Sequence, residues 1–275
     1  MSRPSTSWHA VAKKDVDTRD KRGHDGNRGD ARHYDGLKSE RGFGMAIKLF
    51  ELVGTDEARP FSPFCWRTRM ALAHKGLSAQ SIPWRFTEKD AIAPHNSEKV
   101  PVLIDGETAI VDSWAIANYL EDTYPDRPSL FGGEGGRAMG RMLNWWGDVT
   151  VIGGMFPLIV ADIPGHLRPV DAAYFRSTRE ARFGKPLEEV VAGRDKSVEG
   201  FRRALDPMRL TLKTQAFLGG AAPNYADYIV FGGFQWARVV SPFKLLVEND
   251  PVYAWREKLL DAFDGMARQS PGNPV

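Results

Sequence analysis

Ser62-Pro63-Phe64-Cys65-Trp66-Arg67-Thr68-Arg69-Met70-Ala71-Leu72-Ala73-His74-Lys75-Gly76 is the stretch from which the rest of the chain is read. Both of its ends carry helix signals. Ser62 is a good N-cap, because its hydroxyl accepts from an orphan backbone N–H, and Pro63 suits the first helical position. Arg69, His74 and Lys75 bring positive charge towards the C-terminal end, and Gly76 suits a left-handed residue after the helix. Just upstream, Ile47-Lys48-Leu49-Phe50-Glu51-Leu52 alternates apolar and polar residues, which predicts a strand. A strand, a loop and then this helix put Ser62 and Cys65 at a helix N-terminus, where the backbone favours negative charge.

Working outward, residues 77–86 contain a second strand and residues 87–99, with Pro94 and His95-Asn96, read as irregular. Val100-Pro101-Val102-Leu103-Ile104-Asp105-Gly106 predicts a strand ending in an Asp-Gly hairpin, with a return strand over 108–111. Asp112-Ser113 caps a helix over 114–122. The order βαβ, irregular segment, ββα is that of a thioredoxin-like domain. Tyr124-Pro125-Asp126-Arg127-Pro128 and Gly132-Gly133-Glu134-Gly135-Gly136 are rich in breakers and read as a linker. Beyond it every predicted element is a helix: 137–160, bent near Gly153-Gly154 or Pro157, then 172–183, 187–212 with a break near Gly193, 225–239 and 251–263. Asn224 caps the helix at 225, and Asp227 three residues on completes a capping box. The expected fold is thus an α/β thioredoxin-like N-terminal domain over 45–125, a linker over 126–136 and an all-α C-terminal domain over 137–275.

Residues 1–44 are polar, without apolar periodicity, and are expected to be a disordered tail. Met45 stands just before the first strand, and an over-called start is the favoured reading; a genuine flexible tail is the alternative. The tail has ten Lys and Arg against seven Asp and Glu, which leaves 27 against 28 for the rest. The overall +2 charge is therefore no basic footprint, and a nucleic-acid partner is not expected. One cysteine excludes an intramolecular disulfide and argues for a reducing, cytoplasmic setting. The apolar stretch 149–161 is too short for a bilayer and contains Gly153, Gly154 and Pro157, so no membrane span is expected. Three of the six histidines lie in the tail, and no metal-ligand spacing occurs.

The chain resembles the cytosolic glutathione transferases. Ser62-Pro63-Phe64-Cys65 stands where that family has its active-site turn, with serine at the place of the first cysteine of omega-class relatives and glutaredoxins. Val100-Pro101 resembles the family's Val-Pro pair, in which the proline is cis and the valine backbone holds the glutathione cysteinyl unit. Asp112-Ser113 resembles the acidic-Ser pair that binds the γ-glutamyl end, and Asn224-Tyr225-Ala226-Asp227 the capping box of the all-α half. Ser62-Pro63-Phe64, Trp66-Arg67-Thr68, Asp112-Ser113-Trp114, Leu187-Glu188-Glu189-Val190-Val191 and Phe263-Asp264-Gly265-Met266-Ala267-Arg268 are similar, more narrowly, to bacterial glutathione-dependent β-etherases and related fungal enzymes. The resemblance implies glutathione as co-substrate, a hydrophobic, aromatic electrophile and a homodimer. It implies Ser62 as the catalytic residue, with Val100, Pro101, Asp112, Ser113 and Lys99 on glutathione. The fold also hosts non-catalytic glutathione-binding proteins, the alternative reading.

The chemistry required is modest. A free thiol has a pKa of about 8.5, so making the thiolate dominant at pH 7 takes about two units, or about 2.7 kcal/mol. A hydroxyl hydrogen bond to the charged sulfur offers ~1.5–3 kcal/mol, and a helix N-terminus adds ~0.3–1 kcal/mol. No general base is needed. No tyrosine occurs between Met45 and Asn118, which leaves Ser62 as the leading donor. Cys65, one turn into the helix, is expected to be a buried, inert thiol. Arg67, Arg69 and Lys99 are expected to be solvated, with Lys99 near glutathione. Met142, Trp145, Trp146, Met155 and Phe156 are the expected apolar wall of a substrate pocket.

Overall fold

The computed structural model describes residues 46–274; the expectation for residues 1–44 lies outside them. Strand β1 (Ile47–Leu52) leads through a loop to helix α1 (Pro63–His74), then to β2 (Ala79–Trp84). Two short 3-10 turns, Lys89–Ala91 and Ala93–His95, fill the irregular segment before the hairpin β3 (Val102–Asp105) and β4 (Thr108–Val111), and helix α2 (Ser113–Thr123) follows. The sheet order is β2-β1-β3-β4. β1 runs parallel to β2, with Leu49 opposite Ser81, and antiparallel to β3, with Leu49 opposite Leu103. Because α1 is the crossover between parallel β1 and β2, its N-terminus opens beyond the end of β1. This is the thioredoxin-like N-terminal domain that the element order predicts.

The remainder is helical: α3 (Glu134–Trp146), α4 (Gly153–Ile159), α5 (Pro169–Phe183), α6 (Leu187–Val191), α7 (Arg194–Ala204), α8 (Asp206–Thr211), α9 (Tyr225–Val240) and α10 (Pro251–Gln269). The bend expected at Gly153 or Pro157 starts earlier. A π-helical turn over Gly147–Ile152 joins α3 to α4, and a 3-10 turn follows over Val160–His166. Together they form one 33-residue helical run, long and apolar enough by composition to cross a membrane. Its Val151, Met155, Leu158, Ile159, Val160 and Ile163 are buried in the protein's own core. The break near Gly193 is where the sequence put it, with Gly193 at φ +77°. α10 extends past the predicted end at Phe263, interrupted over Ala262–Gly265.

Helix α9 is the internal post of the molecule. Fourteen of its sixteen residues are buried, and it lies directly against α1. A Cβ on Gly232 would stand 2.3 Å from the Pro63 carbonyl oxygen, so only glycine allows α9 to reach the first turn of α1. Arg67 locks the same contact. It donates from Nε to the Ile229 carbonyl at 3.0 Å, from a terminal nitrogen to Asn144 Oδ1 at 3.3 Å, and pairs with Asp148 at 2.7 Å. It is 1% exposed. The expectation that Arg67 and Arg69 are solvated is therefore corrected. Arg69 forms a two-pronged pair with Glu51 of β1 at 2.5 and 2.6 Å, and Ser81 Oγ donates to the same carboxylate at 2.6 Å. A carboxylate buried on an interior strand needs partners of this kind.

Candidate active site

The loop between β1 and α1 is pinned at both ends. Phe61 N–H donates to the Leu52 carbonyl at 3.0 Å, and the Trp66 indole N–H donates to the Pro60 carbonyl at 2.9 Å. Ser62 follows with φ −67° and ψ 128°, and its Oγ accepts from Cys65 N–H at 3.3 Å. That is the N-cap predicted from the Ser-Pro pair. A hydroxyl that accepts from the helix can still donate its own proton. Cys65 faces the other way. It is fully buried, with its sulfur 4.0 Å from the Phe50 carbonyl oxygen. Burial pushes its thiol up to about 12, the Glu51 charge adds to this, and a hydrogen bond with the Ser62 side chain pulls against it. An uncharged thiol is a poor nucleophile. A thiol reagent is expected to leave the native protein unmodified and to label this single cysteine only after denaturation. Native labelling at the rate of a free thiol would contradict the burial.

Ser62 opens into a cleft of about 570 Å³, a size suited to small-molecule sites. One side comes from the β1–α1 loop and the segment around β2, with Phe61, Ser62, Phe64, Trp84, Phe86, Glu98, Lys99 and Val100. The other comes from the helical half, with Asp148, Ile152, Phe156, Tyr174, Phe175, Thr178, Arg179, Arg182 and Trp236. Of the five residues expected as the apolar wall, only Phe156 lines the cleft. Met155 is buried beneath it, Met142 and Trp145 are exposed on α3, and Trp146 packs at the core's edge. The sequence reading placed that wall on the run from Met142 to Phe156, whereas α5 provides the largest share, with the π turn and α4 next and Trp236 of α9 completing it. The signal was present in α5 as the spacing 174, 175, 178, 179, 182, one face of a helix.

The remaining predicted residues lie beside the cleft. The Val100–Pro101 peptide bond is cis. Lys99 is exposed and Val100 half-buried, both on the cleft wall. Pro101, Asp112 and Ser113 stand off that wall but connect to it, since Asp112 N–H reaches the Pro101 carbonyl at 3.4 Å. Asp112 has φ +81° and ψ 133°, a conformation that side chains rarely adopt and that surrounding bonds must hold. Its Oδ1 accepts from Trp114 N–H at 2.9 Å and Ala115 N–H at 3.1 Å, capping α2. Ser113 is buried, and its carbonyl accepts from the Tyr225 hydroxyl at 2.8 Å. Tyr225 opens α9, directly after the Asn224 cap, so the capping box in the helical half also positions the start of α2.

This arrangement agrees with what the chain is similar to. Residues 58–128 match the family model described as glutathione S-transferase, N-terminal domain, and residues 138–251 match the one described as glutathione S-transferase, C-terminal domain. A glutathione S-transferase-like protein (ustS) of Aspergillus flavus is 31% identical over 226 residues, 70% of this chain and 80% of that protein. A glutathione transferase structure from Phanerochaete chrysosporium superposes with a TM-score of 0.66 at 26% identity, covering 81% of this chain and 93% of that one. A glutathione S-transferase of Ceriporiopsis subvermispora, solved in complex with glutathione, shares the fold with a TM-score of 0.72 at 23% identity, covering 80% and 98%. With a thioredoxin-like sheet, a helical half and a serine-capped helix at the cleft between them, this chain belongs to the glutathione S-transferase family.

Proposed function

We propose that this protein is a glutathione transferase in which the Ser62 hydroxyl stabilises the glutathione thiolate for attack on a hydrophobic, aromatic electrophile. The observation that carries this reading is the Ser62 hydroxyl on the cleft wall at the N-terminus of α1. Its oxygen already accepts from Cys65 N–H, so a sulfur arriving at the α1 N-terminus meets an O–H donor and a favourable backbone field together. The Val100 backbone, presented by the Pro101 peptide bond, would hold the cysteinyl unit, Asp112 and Ser113 the γ-glutamyl end, and Lys99 a carboxylate. The thiolate then forms a C–S bond while the leaving group departs with its electron pair. For a β-aryl ether that group is a phenolate, and the aromatic lining of Phe86, Phe156, Phe175 and Trp236 suits both rings of such a substrate. Turnover of a generic aryl chloride and of a β-aryl ether ketone tests the reading. Glutathione binding without turnover of either would instead support a non-catalytic binding protein.

Asp112 provides a prediction that its cap role sharpens. Asp112→Ala is expected to weaken glutathione binding by ~1.5–3 kcal/mol, the scale of a hydrogen bond to a charged group, and also to lower stability by ~0.5–2 kcal/mol through the lost cap. Asp112→Asn keeps a capping oxygen but not the charge, and should lose affinity with little change in melting temperature. Calorimetry giving wild-type affinity for both variants would move the γ-glutamyl site elsewhere.

A homodimer is also proposed. Met139, Met142, Trp145 and Val149 lie exposed along one side of α3 and the π turn, an apolar line of the kind that marks an interaction surface. Light scattering should give twice the chain mass at micromolar concentration, and Met142→Glu with Trp145→Glu should halve it. A monomer in the unmutated protein would overturn the proposal.

A further inference from the structure

The helical wall of the cleft carries two cations that no acidic side chain among the described residues pairs with. Arg179 and Arg182, one turn apart on α5, both face the cleft. Among the described residues neither has a carboxylate within ion-pair distance, whereas Arg176 on the same helix pairs with Glu180 at 3.1 Å and Glu188 at 2.5 Å. The Arg179 guanidinium lies over the rings of Phe175 at 4.6 Å and Phe86 at 5.2 Å, and Arg182 lies over Phe156 at 5.9 Å. Arg179 donates to Thr178 Oγ1 at 2.7 Å, which leaves further N–H groups free. Burial lowers its pKa, the Tyr174 hydroxyl beside it works against that shift, and Arg182 nearby lowers it further. Two acids line the cleft. Asp148 is engaged by Arg67 at 2.7 Å, and Glu98 belongs to the opposite wall with Lys99.

An ordinary solvated arginine would extend into water, whereas Arg179 is half-buried and lies over two neighbouring rings. A guanidinium already stacked on aromatic faces has lost part of its freedom before a ligand arrives, so less is lost on binding. Its planar fork matches a carboxylate. We propose that the electrophile is an aromatic acid, its ring seated among Phe86, Phe156 and Phe175 and its anionic group held by Arg179 and Arg182. This rests on the transferase reading above. A second source of the same chemistry is the glycyl carboxylate of glutathione, and the experiment separates the two.

The test compares 4-chloro-3,5-dinitrobenzoate with neutral 1-chloro-2,4-dinitrobenzene, each corrected for its uncatalysed reaction with glutathione. In both, a C–S bond forms as the C–Cl bond breaks and chloride leaves with the electron pair. The benzoate is expected to be preferred in kcat/KM, with a preference that falls as salt is added. Arg179→Gln and Arg182→Gln should each reduce that preference about tenfold or more, and Arg182→Lys should restore part of it. Calorimetry with unreactive 3,5-dinitrobenzoate, without glutathione, gives a readout independent of chemistry. Its binding should weaken in both glutamine variants, whose melting temperatures verify that they fold. An unchanged preference in both variants overturns the proposal, as does a loss of glutathione affinity with the preference intact, which would assign the arginines to the glycyl carboxylate. Absent turnover of both chlorides, with dinitrobenzoate binding still dependent on the arginines, would overturn the transferase reading and uphold the aromatic-acid site. Absence of both signals overturns the two together.

Discussion

Replacing Asp227 by alanine is expected to cost about 3–5 kcal/mol of stability, because it leaves several buried hydrogen-bond donors without an acceptor at once. Its carboxylate is completely buried and accepts from Leu218 N–H at 2.7 Å, Gly219 N–H at 2.8 Å, Asn224 N–H at 3.1 Å and the Trp255 indole N–H at 2.7 Å. Removing it strands these donors, each at roughly 1–3 kcal/mol when left dry, with water entering the vacated space recovering part. For a protein of this size that corresponds to a melting temperature lower by about 10 °C. Asp227→Asn should recover little, since one amide oxygen cannot serve four donors and its NH2 meets N–H groups. Asn224→Ala, which removes one cap bond, should cost only ~1 kcal/mol. Thermal melts giving equal losses for Asn224→Ala and Asp227→Ala would contradict the network. The effect should extend to the site, because α9 supports Pro63 through Gly232 and holds the Ser113 carbonyl through Tyr225.

What the sequence disclosed follows from how local each signal is. The Ser62 cap, the Asn224–Asp227 box, the break at Gly193 and the 102–111 hairpin each depend on residues within a few positions, and each stands as read. Arg67 and Arg69 were misread because their partners are remote. Arg67 reaches across 77 positions to Asn144 and 162 to Ile229, and Arg69 across 18 to Glu51. A charged residue on a helix shows its partner only after folding. Trp145 and Met142 were misassigned for a related reason. The π turn at 147–152 rotates the faces before and after it relative to a regular helix, so Phe156 turns to the cleft and Trp145 to solvent. The arginines of α5 were passed over because their aromatic partners Phe86 and Phe156 sit on other segments.

Ser62→Ala is expected to lower the transferase rate at pH 7 about tenfold or more. The lost hydrogen bond acts mainly on the charged sulfur, so the bound thiol's pKa should rise by roughly one to two units. The sign fixes the pH profile. With a higher pKa the thiolate forms later as pH rises, so the deficit is largest near neutrality and shrinks in alkaline buffer. Glutathione affinity, measured below the pKa, should change little. The structure adds a complication that the variant set must remove, because Ser62 also caps α1 through Cys65 N–H. Ser62→Gly deletes the hydroxyl with only a few tenths of a kcal/mol lost from the helix, against ~0.5–2 kcal/mol for alanine. Both should show the same kinetic defect, and Ser62→Thr should retain most of the activity. Cys65→Ala should leave the pH profile nearly intact, as expected of a thiol pushed up to about 12 by burial.

The most direct test is the ultraviolet absorbance of bound glutathione thiolate, titrated across pH in the unmutated protein and in Ser62→Gly. The unmutated protein should show a midpoint well below the free thiol value of about 8.5, and the variant a midpoint roughly one to two units higher. Coincident titrations, with the thiolate equally stable in both proteins, would contradict the role assigned to Ser62.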